Sequence, residues 1–183
     1  MCGACLKEPP AFDAAWAAVD YDFPWAGLVA RLKFHDALDL CSALASLMTR
    51  VQRGRETALP DLLMPVPLSA QRLSSRGFNQ AWELTRRLSR TLHLAADPRL
   101  VLRIRDTHQQ MAVSPGRRHE NVRGAFAVEP LRANGLQGRS VAFVDDVMTT
   151  GATAQELAMV ARQAGARRVE IWVLARTPRP GNA

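Results

Sequence analysis

From Trp25 to about Val51, apolar residues recur at helical spacing (Leu28, Leu32, Leu38, Leu44, Leu47, Met48), with alanines between them and Gly54 as a stop. This pattern predicts one or two amphipathic helices. Leu62 to Pro67 is a short apolar run closed by Pro65 and Pro67, which predicts a buried strand entering a rigid loop. The chain then turns polar through Ser69, Arg72, Ser74, Ser75, Arg76 and Gly77, a predicted loop. Helical spacing returns from Asn79 to about Leu94 through Ala81, Leu84, Leu88 and Leu92, with Asn79 placed to cap the helix. Arg99 to Ile104 is another short apolar run. Arg105 to Gly124 is a long polar stretch without periodicity, of a kind uncommon unless functional. Ala125 to Val128 predicts a returning strand, and Asn134, Gly135 and Gly138 mark a turn. Ser140 to Val144 is an apolar strand ending in two aspartates. A Thr/Gly loop and a helix from about Ala152 to Ala164, stopped by Gly165, come next. Val169 to Ala175 predicts a further buried strand, and the tail from Thr177 to Ala183 should fray. Strands alternating with helices predict an α/β domain with a mostly parallel sheet flanked by helices.

Composition adds bounds to this picture. With 183 residues, 48% hydrophobic and 22% charged, the chain is long enough for one sizeable core. The expected division is a Cys-bearing segment over 1–24, a main domain over 25–176 and a flexible tail over 177–183. No apolar stretch approaches the roughly 20 residues of a membrane span. No basic region followed by an apolar run opens the chain, so the expected location is the cytoplasm. The formal charge of +7, from 24 Lys and Arg against 17 Asp and Glu, suits a nucleic acid or a polyphosphate metabolite, and equally an Arg-rich solvated surface. Lys7 and Lys33 are the only lysines; if the arginines are functional they favour bidentate phosphate contacts.

Three cysteines make no disulfide framework, and Cys41 reads as a buried helix residue. Cys2 and Cys5 form a single C-x-x-C, and tetrahedral zinc needs four ligands. Three readings stay open for them: half a zinc site whose other half lies upstream of Met1, a site completed by another chain, or two ordinary thiols.

The chemistry concentrates in VAFVDDVMTTGAT, Val141 to Thr153. Here a buried strand delivers Asp145 and Asp146 toward its carboxyl end, where open α/β sheets bind ligands. Val147 and Met148 lead into Thr149, Thr150, Gly151, Ala152 and Thr153, and this turn opens a helix. Backbone N–H groups at a helix start, with the dipole and hydroxyls, can enclose a phosphate, and Gly151 lets the backbone approach it. Carboxylates beside such a cradle would repel a phosphate ligand unless they accept sugar hydroxyls or hold a cation such as Mg²⁺. The alternative is a polar strand end with local Thr hydrogen bonds, which fits each residue singly better than it fits the whole run.

This run resembles the phosphoribosyl pyrophosphate signature of type I phosphoribosyltransferases. MPVPLSAQRLSSRGFNQA (Met64 to Ala81), RIRDTHQQ (Arg103 to Gln110) and RRHENVRGAF (Arg117 to Phe126) are similar to the ComF/GntX-like branch of that superfamily. So is LVARLKFHD (Leu28 to Asp36). The resemblance spans about Cys2 to Ala175. It implies the type I phosphoribosyltransferase fold with a hood or lid, in which Asp145 and Asp146 contact the ribose hydroxyls and 149–153 holds the 5-phosphate. Pro67, Leu68, Arg72 and Arg76 would form the pyrophosphate loop, with Arg76 also counted among the catalytic residues beside Asp145 and Asp146. Arg103, Arg105, Thr107, Gln110, Arg117, Arg118 and Asn121 would belong to the lid, and Phe78 would be a packing anchor.

The activity implied is transfer of phosphoribose to an unidentified nitrogen acceptor with release of pyrophosphate, Mg²⁺ being the cofactor. Zn²⁺ is added if an upstream C-x-x-C exists, since relatives carry two such pairs and CGAC matches the second. The rival reading is a competence-related protein assisting uptake of single-stranded DNA, with that DNA or a DNA-uptake helicase as partner and the sugar-phosphate site used for sensing or backbone binding. Aromatics at 6% of residues, not interleaved with the arginines, give this reading little independent support.

Overall fold

A computed structural model describes residues 9–34, 39–105 and 122–178. In chain order the strands are Ala14–Asp20 (β1), Leu62–Pro65 (β2), Ala95–Ala96 (β3), Val101–Arg103 (β4), Phe126–Val128 (β5), Ser140–Met148 (β6) and Arg168–Arg176 (β7). The helices are Trp25–Phe34 (α1), Leu40–Arg53 (α2), Ala70–Arg76 (α3), Gln80–Leu92 (α4) and Ala152–Gln163 (α5), with a 3₁₀ turn at Pro130–Gly135. Five strands form a parallel sheet in the order β1-β7-β6-β2-β3, and β4 and β5 pair antiparallel beside it. The fold is α/β, as the alternation of patterns predicts.

The two long central strands read as near-continuous apolar runs because both faces of the sheet are covered. Val141 and Phe143 of β6 and Val169, Ile171 and Val173 of β7 share a core with Leu157, Ala158 and Ala161 of α5. The intervening residues Ala142, Val144, Trp172 and Leu174 turn the other way. There they meet Val29 and Leu32 of α1, Leu44 and Met48 of α2, and Leu84 and Leu88 of α4. Cys41 lies fully buried in that second core.

Three elements depart from the sequence pattern. Ala14–Asp20 falls within the Cys-bearing segment 1–24, yet it pairs in parallel with β7 from Ala14↔Glu170 to Asp20↔Arg176, so the sheet takes in this stretch. Four alanines in seven residues carry little strand signal. The polar run expected as a loop contains α3, whose seven residues include no buried one and so show no apolar stripe. β6 does not stop at the aspartates: pairing with β7 carries it on to Met148↔Arg176. Cys2, Cys5, Thr107, Gln110, Arg117, Arg118 and Asn121 lie outside the described residues.

Candidate functional site

The site begins with β6, which runs between β7 and β2 and places Asp145 opposite Val173 near the carboxyl end of the sheet. After Met148 the chain bends through exposed Thr149 and Thr150 to Gly151, which takes the N-cap position of α5 with φ 83°. A side chain there would be strained, since a left-handed conformation brings Cβ against the following carbonyl. Gly151, lacking a side chain, offers α5 no side-chain cap of its own. The first N–H groups of a helix have no intrahelical acceptor, and Ala152 N–H donates to Thr150 Oγ1 at 3.4 Å. A cavity of about 60 Å³ is enclosed by Asp145, residues 147–154, Val66, Ile171 and Val173. Thus a carboxylate, a hydroxyl-bearing turn and a helix start share one wall.

The electrostatics of the acidic pair are unequal. Burial pushes the Asp145 carboxyl up to about 8, and the charge of Asp146 adds to the rise. The Asp146 N–H, which donates to Asp145 Oδ1 at 2.8 Å, opposes it, as do Lys33 and Arg103. Asp146 is buried and ion-pairs through Oδ2 with Lys33 Nζ of α1 at 3.3 Å. Arg76, at the end of α3, is drawn below its ordinary value by burial, with Asp146 opposing and Arg72 adding to the shift. Hence Lys33, Arg76 and Arg103, from three different elements, all act electrostatically on the two aspartates.

The segment after β2 is held in place from two sides. Val66 N–H donates to Val144 O at 2.8 Å, extending the β2 to β6 contact beyond the strand. The Asn79 side-chain amide donates to Val66 O at 3.1 Å, while its Oδ1 accepts from Ala81 N–H and Trp82 N–H and caps α4. Pro67 is buried and Leu68 half-buried. Ser69 caps α3 by accepting from Arg72 N–H. Arg72 and Arg76 stand four residues apart on α3, so they share one side of it.

The β4 and β5 pair carries Arg103 and leads into Arg105, two of the residues expected in the lid. The Arg103 guanidinium lies 5.5 Å from the centroid of the Phe126 ring, and its Nε donates to Arg105 O. Arg105 is exposed and donates to Arg123 O. Gly124 N–H donates to Glu156 Oε1 at 2.6 Å, which ties this region to α5.

Two contributions to the site were not assigned from the sequence. Lys33 lies within the LVARLKFHD motif, yet nothing local places it against a residue more than a hundred positions later. Glu156 reads as an ordinary helix residue until the Gly124 contact is seen. Among the described residues no group of three or more His, Cys, Asp and Glu is arranged to hold a metal. The adjacent carboxylates nonetheless suit a hard cation that takes its remaining ligands from substrate oxygens and water. A shared cation would offset the burial and the Asp146 charge that together raise Asp145.

The chain is similar to curated proteins over most of its length. It is 39% identical over 180 residues to the DNA utilization protein YhgH of Escherichia coli strain K12, covering 96% of this chain and 78% of that protein. It is 35% identical over 179 residues to competence protein F of Haemophilus influenzae, with the same coverage of each chain. Among solved structures, the glutamine phosphoribosylpyrophosphate amidotransferase from B. subtilis shows 14% identity and a TM-score of 0.49, over 74% of this chain and 26% of that one. The purine phosphoribosyltransferase from Pyrococcus horikoshii shows 15% identity and a TM-score of 0.41, over 74% and 80%. No family model matches.

Proposed function

The chain belongs to the family that includes DNA utilization protein YhgH and competence protein F, and we propose that it binds phosphoribosyl pyrophosphate with magnesium and passes the phosphoribosyl group to a nitrogen acceptor. One observation carries this reading: the cavity that joins Asp145 to the Thr149–Thr153 turn at the start of α5. In this arrangement the 5-phosphate lies on the turn and the N–H groups of α5, where the helix dipole favours an anion. The ribose diol faces Asp145 and Asp146. The pyrophosphate points toward Pro67, Leu68, Arg72 and Arg76, whose positive charge favours the leaving group as its own charge develops.

The acceptor nitrogen forms a bond to ribose C1 as the bond from C1 to the pyrophosphate oxygen breaks. That electron pair leaves with pyrophosphate, and the nitrogen gives its proton to water. Asp145 and Asp146 would hold the magnesium or orient the diol, and a bound cation there supplies charge neutralisation for the diphosphate. No side chain has to act as nucleophile, so catalysis rests on positioning and on Arg76, Arg72 and Arg103. No described helix is long and apolar enough to cross a membrane.

Isothermal titration of phosphoribosyl pyrophosphate with Mg²⁺ tests the reading. Binding to the wild type that is lost in an Asp145→Ala, Asp146→Ala double variant is the expected result; no binding to a folded wild type would overturn it. The names of the two relatives favour a second reading, in which the same site serves DNA uptake. Single-stranded DNA binding that falls steeply with salt, and that phosphoribosyl pyrophosphate competes away, is the observation that would move this reading first.

A further inference from the structure

Two adjacent carboxylates at a strand end attract any divalent cation in the medium, and a bare cation seated there would occupy the site before substrate arrived. The structure sets a charge against this. Lys33 Nζ lies 3.3 Å from Asp146 Oδ2, with only 23% of the Lys33 side chain and 11% of the Asp146 side chain exposed. Such a pair is screened less by salt than a surface ion pair. Its backbone support is firm, because Val29 and Leu32 of the same helix are fully buried in the core beneath the sheet. The ammonium also acts on Asp145, opposing the effects of burial and of Asp146.

We propose that Lys33 is a tethered counter-ion that keeps free divalent cations off the acidic pair, so that the metal enters only together with a polyphosphate ligand. This rests on the reading above that the pair holds a cation. A bare dication approaching Asp146 meets the repulsion of the Lys33 ammonium, which already lies 3.3 Å from Oδ2. A dication already carried by a diphosphate brings negative charge that offsets the repulsion and offers the ammonium new acceptor oxygens. Lys33 is thus a positioning residue that sets the order of binding, apart from any part in the chemical step.

Manganese alone, with no sugar phosphate present, is the probe. Electron paramagnetic resonance of free Mn²⁺ reports how much is bound to wild type, Lys33→Met and Lys33→Arg. Lys33→Met should bind Mn²⁺ roughly tenfold or more tightly than wild type, the scale of removing one close positive charge. Lys33→Arg, which keeps the charge, should behave as wild type, whereas a purely structural role for the stem predicts no gain in Lys33→Met either. Adding Asp146→Asn to Lys33→Met should abolish the gain and so locate it. Lys33→Gln makes the same neutralisation should the Met variant fail to fold. Equal Mn²⁺ affinity in wild type and the neutral variants, or a gain that survives Asp146→Asn, would overturn the proposal. Failure of the sugar-phosphate titration would instead sink the functional reading, because the manganese assay contains no sugar.

Discussion

Asp145 and Asp146 are consecutive on β6, yet Asp145 lines the cavity beside the start of α5 while Asp146 ion-pairs with Lys33 of α1. Among the described residues only Asp146 has an ion-paired lysine, and Asp145 carries the upward shift to about 8. The consequence for stability has a definite sign. In the unfolded chain Asp145 returns to its ordinary value of 3.8, so between these values the folded state holds a proton that the unfolded state lacks. Its contribution is fully present below about pH 3.8 and is lost as pH rises through about 8. Thermal melts in chelator from pH 5 to 9 should show wild type falling behind Asp145→Asn as pH rises, by an amount on the order of a few degrees. The Asn Oδ1 can still accept the Asp146 N–H. Parallel curves for the two proteins would show that Asp145 is ionised throughout.

Gly151 is the hinge between the acidic strand and α5, and its φ of 83° is the constraint, since a Cβ there would meet only Met148 Sδ at an ordinary 3.9 Å. Gly151→Ala should therefore cost about 1–2 kcal/mol of stability through backbone strain. Denaturant titration measures this. The same change should weaken phosphoribosyl pyrophosphate binding by more than the stability loss accounts for, because it displaces the turn proposed to hold the phosphate.

Much of this site is legible from one stretch of sequence because its parts are local. Val141 to Thr153 contains strand, acids, turn and helix start in order, and each has its own residue signature. What is not legible comes from contacts between distant segments. The extension of β6 past Asp146 follows from pairing with β7, and no residue type in Val147 or Met148 announces it. α3 is too short and too exposed to show a stripe, so its Ser and Arg residues resemble a loop. β1 is concealed by its alanines, and its stability comes from lying along β7 with Trp16 packed on Trp172, ring centroids 5.2 Å apart. Lys33 joins the site only because α1 packs so that its last turn reaches β6.

At the opposite, amino-terminal end of the sheet, Glu170 is fully buried on β7. It accepts from Trp172 Nε1 at 2.8 Å and ion-pairs with Arg168 Nη2 at 2.7 Å. Glu170→Ala removes the acceptor from a buried indole N–H and leaves Arg168 unmatched, at a cost of about 3 kcal/mol. Chemical denaturation should register that loss. The dissociation constant for phosphoribosyl pyrophosphate should stay within about twofold of wild type under conditions where the variant is folded, since the substitution lies away from the cavity. A large change in affinity would mean that the two ends of β7 are coupled.

Asn79 separates two roles that one side chain performs at once. Its Oδ1 caps α4, and its amide donates to Val66 O in the segment that leads toward Arg72 and Arg76. Asn79→Ala should lose both, with about 1 kcal/mol attributable to the cap. Asn79→Asp keeps the cap, and the carboxylate at the start of a helix is favoured by the dipole. It cannot donate to Val66 O, however, and sets a charge against that carbonyl. If the Val66 contact shapes the proposed pyrophosphate segment, Asn79→Asp should retain most of the stability of α4 yet bind phosphoribosyl pyrophosphate as weakly as Asn79→Ala. Ribose 5-phosphate, which lacks the diphosphate, should bind all three proteins alike. If instead its affinity drops in parallel with that of the full ligand, the defect lies in the sheet as a whole, and Asn79 has no particular bearing on the diphosphate.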